Sequence, residues 1–477
     1  MADTHWPTIE EIARLVSNGE YSAVANVNKA LDNLKSTSEF QHTISLIEQR
    51  ALDRATEIDN SIKAGEPVGP LAGVPYVAKD NFLVFGANTT AASNMLKNFD
   101  APYQSTAIEK LDAAGAICVG KANLDAFAHG SSTENSDFFT TKNPINPEYV
   151  PGGSSGGSAA IAALGAVPFT LGTDTGGSIR LPASYCGIVG LKPTYGLVSR
   201  SGVVAMASST DCIGPLARTV EDAAYVLDIM AGLDPADSTT IERQDSYVIT
   251  KKSDLIGQKI GVVKEFFGQG ISEKVDQAVK AATEQLKQLG AEVIEVSLPS
   301  LPLALSVYYV IAPAEVSSNL SRYDGIRFGH RNESAMSLED SYLANRSEGF
   351  GAEAKRRIMI GTYVLSSGYY DAYYKKAQTV RTKLINEFNE VFEQVDYLVG
   401  PTAPDIAFRL GQNVDDPLAM YLVDIMTVSA NLVGVPSISI PLNVNKDEMP
   451  IGLQIMAPQK KDKELLALAA TIEEKLK

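Results

Sequence analysis

Two glycine- and serine-rich clusters lie close together in the middle of the chain and constrain how it can fold. Residues 151–158 read Pro-Gly-Gly-Ser-Ser-Gly-Gly-Ser, and residues 172–182 read Gly-Thr-Asp-Thr-Gly-Gly-Ser-Ile-Arg-Leu-Pro. Glycine and serine are common in turns, so a single cluster of this kind is ordinary loop chemistry. Two clusters that flank a predicted helix and strand are not explained by turn formation alone, and they indicate a functional site.

Short apolar segments alternate with helical periodicity on both sides of these clusters. Strands are predicted at residues 71–78, 116–119, 167–171, 259–263, 292–296, 397–399, 437–440 and 451–455. Helices are predicted at residues 105–114, 219–231 and 272–289. This alternation predicts an α/β fold with a mixed central sheet. Residues 302–393 have mainly helical periodicity and are predicted to form a helical insertion.

The first 63 residues are predicted to be helical throughout. Thr8 is positioned to cap a helix over residues 9–16, a second helix is expected over residues 22–34, and a third is expected from Ser38. We expect residues 1–63 to form a helical layer on a domain spanning residues 64–477. No internal repeat or low-complexity tract divides the sequence, which favours one domain overall.

Charge and cysteine content exclude some classes of protein. The chain of 477 residues has 41 Lys and Arg against 57 Asp and Glu, a net charge of -16, so tight binding of nucleic acid by this chain alone is not expected. It shows neither a secretory signal pattern nor a long apolar run, and a cytoplasmic protein is expected. The odd set of Cys118, Cys186 and Cys212 contains no closely spaced pair, which predicts reduced, buried, unreactive thiols.

Residues 152–156 fit the G-x-S-x-G pattern of a nucleophile elbow, in which Ser154 would be the nucleophile of a Ser-Asp-His triad. The preceding residues 143–151 contain too many prolines for the buried strand that such an elbow requires. His330 is the only histidine that follows the serine in the sequence. A histidine base is therefore poorly supported.

Lys79 is the alternative base, because it ends the apolar segment at residues 74–78 and is expected at the end of a core strand. A lysine accepts a proton only when its amine is neutral, and burial lowers its pKa from the usual value of about 10.4. A salt bridge between Lys79 and Asp80 is the competing interpretation.

The two clusters and Lys79 together resemble the amidase signature family, whose hallmark is this pair of glycine-serine segments. The resemblance implies an α/β amidase signature fold with helices on both faces of the sheet. It also implies that Ser178 is the nucleophile, that Ser154 follows a cis peptide bond and relays protons, and that Lys79 is the base. The resemblance further implies that the backbone amides of Thr175, Gly176, Gly177 and Ser178 form an oxyanion hole. It implies that Ser155 and Arg180 hold the catalytic loop in position.

Segments outside the signature resemble the glutamine-hydrolysing branch of the family, found in tRNA-dependent amidotransferases. They lie at residues 130–136, 191–199, 317–327, 366–374 and 416–421. The resemblance implies that Arg357 binds the substrate carboxylate, that Asp424 binds its ammonium group, and that one of Tyr308 and Tyr309 lies beside them. The chain departs from the family pattern at Ala126, His129 and Leu181. His129 either contacts glutamine or fills the space of the methionine that is common in the family, and the second interpretation is favoured.

The resemblance implies a carbon-nitrogen ligase component that hydrolyses glutamine and supplies ammonia for protein biosynthesis, converting Glu-tRNA(Gln), or Asp-tRNA(Asn), to the amidated form. The implied partners form a heterotrimer with this chain: a B subunit that binds tRNA and uses ATP and Mg²⁺, and a small C subunit. No metal or cofactor is expected in this chain. The alternatives are a stand-alone amidase for small amides and a scaffold whose catalytic residues are idle.

Overall fold

The described part of the chain folds around one mixed sheet of 11 strands. The structure, a computed structural model, describes residues 5–243, 246–268, 270–442 and 448–476. The strands are β1 Thr43–Leu46, β2 Pro75–Lys79, β3 Ile117–Ala122, β4 Phe169–Asp174, β5 Val189–Lys192, β6 Cys212–Ala217, β7 Lys259–Val263, β8 Glu292–Val296, β9 Tyr397–Pro401, β10 Ser437–Leu442 and β11 Ile451–Met456.

Helices connect most of these strands. Within the described residues they are α1 Ile9–Ser17, α2 Ala23–Ser36, α3 Glu48–Ala64, α4 Thr106–Ala113, α5 Gly156–Ala163, α6 Arg180–Cys186, α7 Val220–Met230, α8 Glu273–Gln288, α9 Ala304–Asn319, α10 Leu338–Gly349, α11 Ala352–Leu365, α12 Lys376–Phe392, α13 Pro417–Leu422, α14 Val428–Val433 and α15 Asp462–Leu476.

The strand order across the sheet is β1-β3-β2-β4-β6-β5-β10-β11-β9-β7-β8. Strand β2 is parallel to both β3 and β4, and β7 is parallel to both β8 and β9. The remaining pairs are antiparallel. Because parallel strands run in the same direction, the carboxyl ends of β2 and β4 lie at the same edge of the sheet.

Helices cover both faces of this sheet, as the α/β amidase signature fold requires. Successive strand residues point to opposite faces. Val399 and Ile455 pack with residues of α7, α8 and α15 in the largest apolar cluster. Their neighbours Leu398 and Met456 pack instead with residues of α9, α12 and α14. The expected fold class is therefore confirmed.

The N-terminal segment differs from the prediction in one element. Thr8 caps α1 by accepting a hydrogen bond from the Glu11 amide, as predicted. Residues 43–46, however, form strand β1, which pairs antiparallel with β3, so the prediction of helices throughout residues 1–63 is wrong there. The third helix is α3, which begins at Glu48, and only a short 3₁₀ turn starts at Ser38.

Helices α9 to α12 lie within the predicted helical insertion at residues 302–393. Residues Leu301–Arg322 are long and apolar enough to cross a membrane by length and composition alone, but half of their most apolar window is buried inside the protein. Val307, Tyr308 and Ile311 on this segment belong to the apolar cluster beneath the sheet. The segment is accordingly a core helix, and it brings adjacent tyrosines toward the carboxyl edge of β4.

Candidate active site

Three backbone segments converge at the carboxyl edge of β2 and β4. Lys79 is the last residue of β2, and Asp174 is the last residue of β4. The first glycine-serine cluster leads into α5, and the second connects β4 to α6. The amide of Ser155 donates to the carbonyl oxygen of Ser178 at 3.1 Å, which joins the two loops. The sequence prediction that Lys79 ends a core strand is confirmed.

The Lys79 amine is fully buried and lies among three hydroxyl groups. Its Nζ is 2.8 Å from Ser154 Oγ, 2.9 Å from Ser155 Oγ and 2.9 Å from Thr173 Oγ1. Burial lowers the pKa of Lys79 to about 7, although Asp125, Asp174 and Asp211 act in the opposite direction. A substantial fraction of this amine is therefore neutral near pH 7.

The hydrogen bonds around Lys79 indicate which hydroxyl can share a proton with it. A neutral amine has two N–H donors and one lone pair. Ser155 Oγ donates to the Thr173 carbonyl oxygen at 3.2 Å, and Thr173 Oγ1 accepts from Asn81 Nδ2 at 3.1 Å. The Thr173 hydroxyl keeps its own hydrogen, and Ser154 makes no other side-chain hydrogen bond within the described residues, so either hydroxyl can donate to the Lys79 lone pair. Of these two, Ser154 is the one next to Ser155, whose amide bonds to Ser178.

The competing interpretations of the sequence are not supported. Asp80 is 2.6 Å from Lys121 Nζ in a fully buried ion pair, so it is not a partner of Lys79. His330 lies beside Glu348 on the surface, at 2.8 Å, and not beside Ser154.

The three cysteines are buried and free, as predicted. Burial raises the pKa of Cys118 to about 11 and also raises the pKa of Cys186 and of Cys212. A thiol with a raised pKa is a poor nucleophile near neutral pH.

The loops that carry Ser154 and Ser178 are joined by the backbone hydrogen bond between Ser155 and Ser178. The peptide bond between Gly153 and Ser154 is cis, the geometry that the family resemblance implies. The two serine hydroxyls form no hydrogen bond with one another in the part of the chain that the structure describes. Catalytic hydrogen bonds are often incomplete in free enzymes and shorten when substrate binds.

The loop at residues 175–178 presents backbone donors to the space in front of Ser178. Among the described residues, the amides of Gly176, Gly177 and Ser178 donate to no protein group, so they remain available to a substrate oxygen. Gly177 has a φ of 147°, and a Cβ atom there would lie 2.2 Å from Thr427 Oγ1. Only glycine fits this position, which lets the backbone of the loop pass close to Thr427.

Arg180 stabilises the loop at residues 175–178 through buried hydrogen bonds. Its fully buried guanidinium forms a bidentate pair with Asp174 at 3.0 and 2.9 Å, and donates to the Thr427 carbonyl oxygen at 3.1 Å. It also donates to Asn431 at 2.6 Å and to Gln454 at 2.5 Å. Burial alone would raise the pKa of Asp174, but the Arg180 charge and hydrogen bonds lower it to about 2. Arg180 is therefore a structural ion-pair residue that supports the loop at residues 175–178.

Asp424 lies on the other side of this loop. It accepts hydrogen bonds from Ser131 Oγ at 2.8 Å and from the Tyr309 hydroxyl at 3.3 Å. Burial raises the pKa of Asp424 to about 7, because its two donors and Arg357 only partly offset desolvation. A bound ammonium group would compensate this buried carboxylate and favour its charged form.

Arg357 lies close to Asp424, on helix α11. Its Nε donates to Glu353 at 2.8 Å, whereas its two terminal nitrogens form no hydrogen bond within the described residues. The guanidinium lies 5.6 Å from the ring centre of Tyr309 and 5.7 Å from that of Tyr421. The unused end of this planar fork has the geometry that binds a carboxylate in bidentate fashion.

The two tyrosines that the sequence left undecided have different neighbours. A Cβ atom on Gly176 would lie 2.7 Å from the Tyr308 ring, so Tyr308 packs against the oxyanion loop. Tyr309 contacts Asp424 and Arg357 instead. Their rings meet edge to face at 5.1 Å.

Several residues of the site were not identified from the sequence. Thr173 contacts Lys79, Thr427 donates to the Gly176 carbonyl oxygen at 2.6 Å, and Asp211 accepts from the Thr175 hydroxyl at 2.7 Å. Burial raises the pKa of Asp211 to about 6. Thr173 could have been predicted as a site residue, because it lies next to Asp174 at the end of a strand. The sequences around Thr427 and Asp211 contain no pattern that predicts contact with the loop at residues 175–178.

Comparisons with known proteins agree with this geometry. A sequence family described as Amidase matches residues 25–466. The chain is 52% identical over 451 residues to the glutamyl-tRNA(Gln) amidotransferase A subunit of Geobacillus thermodenitrificans (strain NG80-2), covering 94% of this chain and 93% of that protein. It is 51% identical over 469 residues to the same protein of Thermoanaerobacter pseudethanolicus (strain ATCC 33223 / 39E), covering 98% and 96% of the two chains.

A solved structure is similar over almost the whole length. It is that of the glutamyl-tRNA(Gln) amidotransferase A subunit from Thermotoga maritima, with a TM-score of 0.83 and 41% identity, covering 99% of this chain and 96% of that one. The fold, the two glycine-serine loops around Lys79 and these similarities lead to one assignment: the chain belongs to the amidase signature family.

Proposed function

We propose that this protein is the glutamine-hydrolysing component of a tRNA-dependent amidotransferase, and that it supplies ammonia for the conversion of Glu-tRNA(Gln) to Gln-tRNA(Gln). The observation that carries the proposal is the presence of two side chains of opposite charge, Arg357 and Asp424, close to the catalytic loop. Arg357 presents two free terminal nitrogens, and Asp424 is a buried carboxylate. A simple amide needs neither group, whereas the α-carboxylate and α-ammonium of glutamine need both.

Hydrolysis begins with proton transfer through the buried serine. Neutral Lys79 accepts the proton of Ser154, which accepts that of Ser178 as the Ser178 oxygen bonds to the side-chain amide carbon of glutamine. The amides of Gly176 and Gly177 stabilise the negative oxygen that forms. The carbon-nitrogen bond then breaks, and the same proton returns to the departing nitrogen, which leaves as ammonia.

Water completes the reaction by the reverse sequence. The γ-glutamyl ester on Ser178 is attacked by a water molecule, whose proton passes along the same route to Lys79. When the ester bond breaks, that proton returns to the Ser178 oxygen, and glutamate leaves. Every step uses groups of this chain and the two substrates, glutamine and water.

The proposal includes partner proteins. Support comes from the names of relatives at 51% and 52% identity, which designate one component of a larger amidotransferase. A B subunit would bind tRNA and activate its glutamyl group with ATP and Mg²⁺, a small C subunit would complete a cytoplasmic heterotrimer, and ATP would bind outside this chain. The net charge of -16 agrees with tRNA contacts made by a partner.

The test compares glutamine with a simple amide in variants of the charged pair. Arg357→Ala and Asp424→Ala are expected to lower kcat/KM for glutamine by at least about tenfold each, because each removes a charged contact. Hydrolysis of a small aliphatic amide should change little. Equal losses on both substrates would instead support a stand-alone amidase, and absence of any hydrolysis by the assembled complex would support an idle scaffold.

A further inference from the structure

His129 is a buried histidine whose two ring nitrogens are unsatisfied among the described residues. Its side chain is fully buried, and neither ring nitrogen makes a hydrogen bond with any described residue. Leaving a buried polar group unpaired is unfavourable, because the group has lost its bonds to water. Such a group in a native protein requires an explanation, and one explanation is a ligand that supplies the missing partner.

The backbone of His129 is held by two hydrogen bonds. The His129 amide donates to the Ala126 carbonyl oxygen at 3.0 Å, and its own carbonyl oxygen accepts from Asn135 Nδ2 at 3.0 Å. The two preceding residues, Phe127 and Ala128, have φ values of 53° and 63°, which non-glycine residues rarely adopt. Strain of this kind is often found at functional sites. The main chain is therefore fully bonded, and only the ring remains unsatisfied.

The two residues that follow His129 in the chain lie beside Arg357 and Asp424. The next residue, Gly130, lines a small cavity of about 40 Å³ together with Arg357 and Tyr421. The residue after it, Ser131, donates to Asp424. Burial lowers the pKa of His129 well below its usual value, and the nearby positive charge of Arg357 lowers it further. The ring is thus neutral at physiological pH, with one N–H donor and one acceptor nitrogen.

We propose that a ring N–H of His129 donates a hydrogen bond to the α-carboxylate of glutamine, beside the Arg357 guanidinium. A carboxylate is the part of the substrate that a neutral donor next to a cation fits best, because the cation already attracts it. His129 then acts as a specificity-determining contact and not as a proton-transfer group. This inference rests on the proposed function, since it identifies a further contact to the same substrate.

The experiment measures KM and kcat of the chain assembled with its partners, using the variants His129→Met, His129→Gln and Arg357→Ala. His129→Met keeps apolar volume and removes both nitrogens, and it is expected to raise KM for glutamine by roughly ten- to a hundredfold, the loss expected for a hydrogen bond to a charged group. The kcat value and hydrolysis of a small aliphatic amide should change by less than about threefold, since both depend on the catalytic loop. His129→Gln, which restores a donor, should recover part of the affinity.

A purely space-filling histidine gives a different result. Methionine would then leave KM unchanged, and that outcome overturns the inference even when the variant is more stable. If Arg357→Ala raises KM for glutamine selectively while His129→Met does not, the proposed function stands and the His129 contact is wrong. If neither variant distinguishes glutamine from the simple amide, the glutamine pocket itself is wrong, and both proposals fail.

A second measurement does not depend on a His129 variant that folds well. The Ser178→Ala variant should bind glutamine without turnover, and its histidine ring nitrogens can be followed by nitrogen-15 NMR in histidine-labelled protein. Saturation with glutamine should shift one ring resonance that is missing from the spectrum of Ser178→Ala/His129→Gln. A spectrum in which no buried histidine responds to saturating glutamine overturns the contact.

Discussion

A buried lysine surrounded by hydroxyl groups is chemically different from one that faces a carboxylate. Lys79 and Lys121 are both fully buried and both lie on strands at the same part of the sheet. Lys121 is paired with Asp80, whereas Lys79 contacts only Ser154, Ser155 and Thr173. Without an adjacent carboxylate, desolvation dominates at Lys79, and its amine can exchange a proton with a serine.

Removal of this amine should abolish most catalysis without unfolding the protein. We expect Lys79→Ala to lower kcat for glutamine by roughly 10²- to 10⁴-fold, the usual contribution of general acid–base catalysis. Lys79→Arg should be equally inactive, because a guanidinium remains protonated and cannot accept the Ser154 proton. Steady-state kinetics and thermal melting curves check this. Near-normal turnover in Lys79→Arg would contradict proton transfer through residue 79.

The pH dependence of glutamine hydrolysis should reflect two groups that titrate in the same range. Burial places the pKa of Lys79 at about 7 and that of Asp424 at about 7. Below these values Lys79 is protonated and no longer a base, and Asp424 is neutral and no longer attracts an ammonium group. The kcat/KM value should therefore fall as pH decreases below about 7 and reach a plateau above it.

The two groups can be separated with substrates. A plot of log kcat/KM against pH should approach a slope of ~2 for glutamine at low pH, but ~1 for a small aliphatic amide, which uses only Lys79. Asp424→Asn should reduce the glutamine slope to that of the amide. Identical profiles for the two substrates in the unmodified protein would show that Asp424 does not titrate with substrate binding.

At the scale of elements, the substrate pocket depends on how closely α9 and α11 pack. Tyr308 and Tyr309 are on α9, and Arg357 is on α11. One turn after Arg357, Gly361 faces α9, where a Cβ atom would lie only 1.9 Å from the Pro313 carbonyl oxygen. The absence of a side chain at Gly361 lets the two helices approach and sets the distance between Arg357 and Tyr309.

Gly361→Ala should therefore weaken glutamine binding from a distance. The added methyl group forces α9 and α11 apart, and a small displacement of binding groups costs roughly ten- to a hundredfold in kcat/KM. The loss should be larger for glutamine than for a simple amide, because Lys79 and Ser154 do not lie on these helices. Met359→Ala, an exposed site on the same helix, is the matched control and should have no effect. Comparable losses in both variants would contradict this interpretation.

The sequence revealed strands whose Val and Ile residues lie on either side of a predicted helix. Strands β7 and β8 have the predicted boundaries, residues 259–263 and 292–296. Strand β1 was missed because it is short, half-buried and at the edge of the sheet. Strands β5 and β6 were also missed, since glycine and proline interrupt them and their stability comes from pairing with distant strands. Tertiary pairing outweighs local propensity in such segments.

The candidate site was predictable to a similar extent. Lys79 was identifiable because an apolar strand leads directly to it, and the serines because glycines surround them. The roles of Arg357 and Asp424 came only from resemblance, since their local sequences are those of surface helices. Thr427, which supports the oxyanion loop, follows that loop by about 250 residues in sequence. Contacts over such a distance leave no local pattern.

At the scale of the whole molecule, the net charge favours tRNA binding by a partner and not by this chain. A net charge of -16 repels a polyphosphate, so we expect the isolated chain to bind tRNA weakly at physiological salt. The complex with its partners should bind Glu-tRNA(Gln) tightly, and its rate of glutamine hydrolysis should rise with tRNA and ATP. Binding and ammonia release measured for the chain and for the complex check this.

Two outcomes would contradict that division of labour. Tight tRNA binding by the isolated chain would place the tRNA contacts on this protein itself. Glutamine hydrolysis at a rate that ignores partners and tRNA would favour a stand-alone amidase. Titration of salt provides a control, because tRNA affinity of the complex should fall steeply as salt rises.

Several partners of Arg180 are far from it in the sequence, and this separation has a consequence for synthesis of the protein. Lys79, Ser154 and Ser178 leave the ribosome early, but the loop that carries Ser178 is supported by Thr427, Asn431 and Gln454. A growing chain that has not yet reached these residues lacks the groups that shape its oxyanion loop. We therefore expect a chain that ends before Thr427 to lack amidase activity even though it contains Lys79, Ser154 and Ser178.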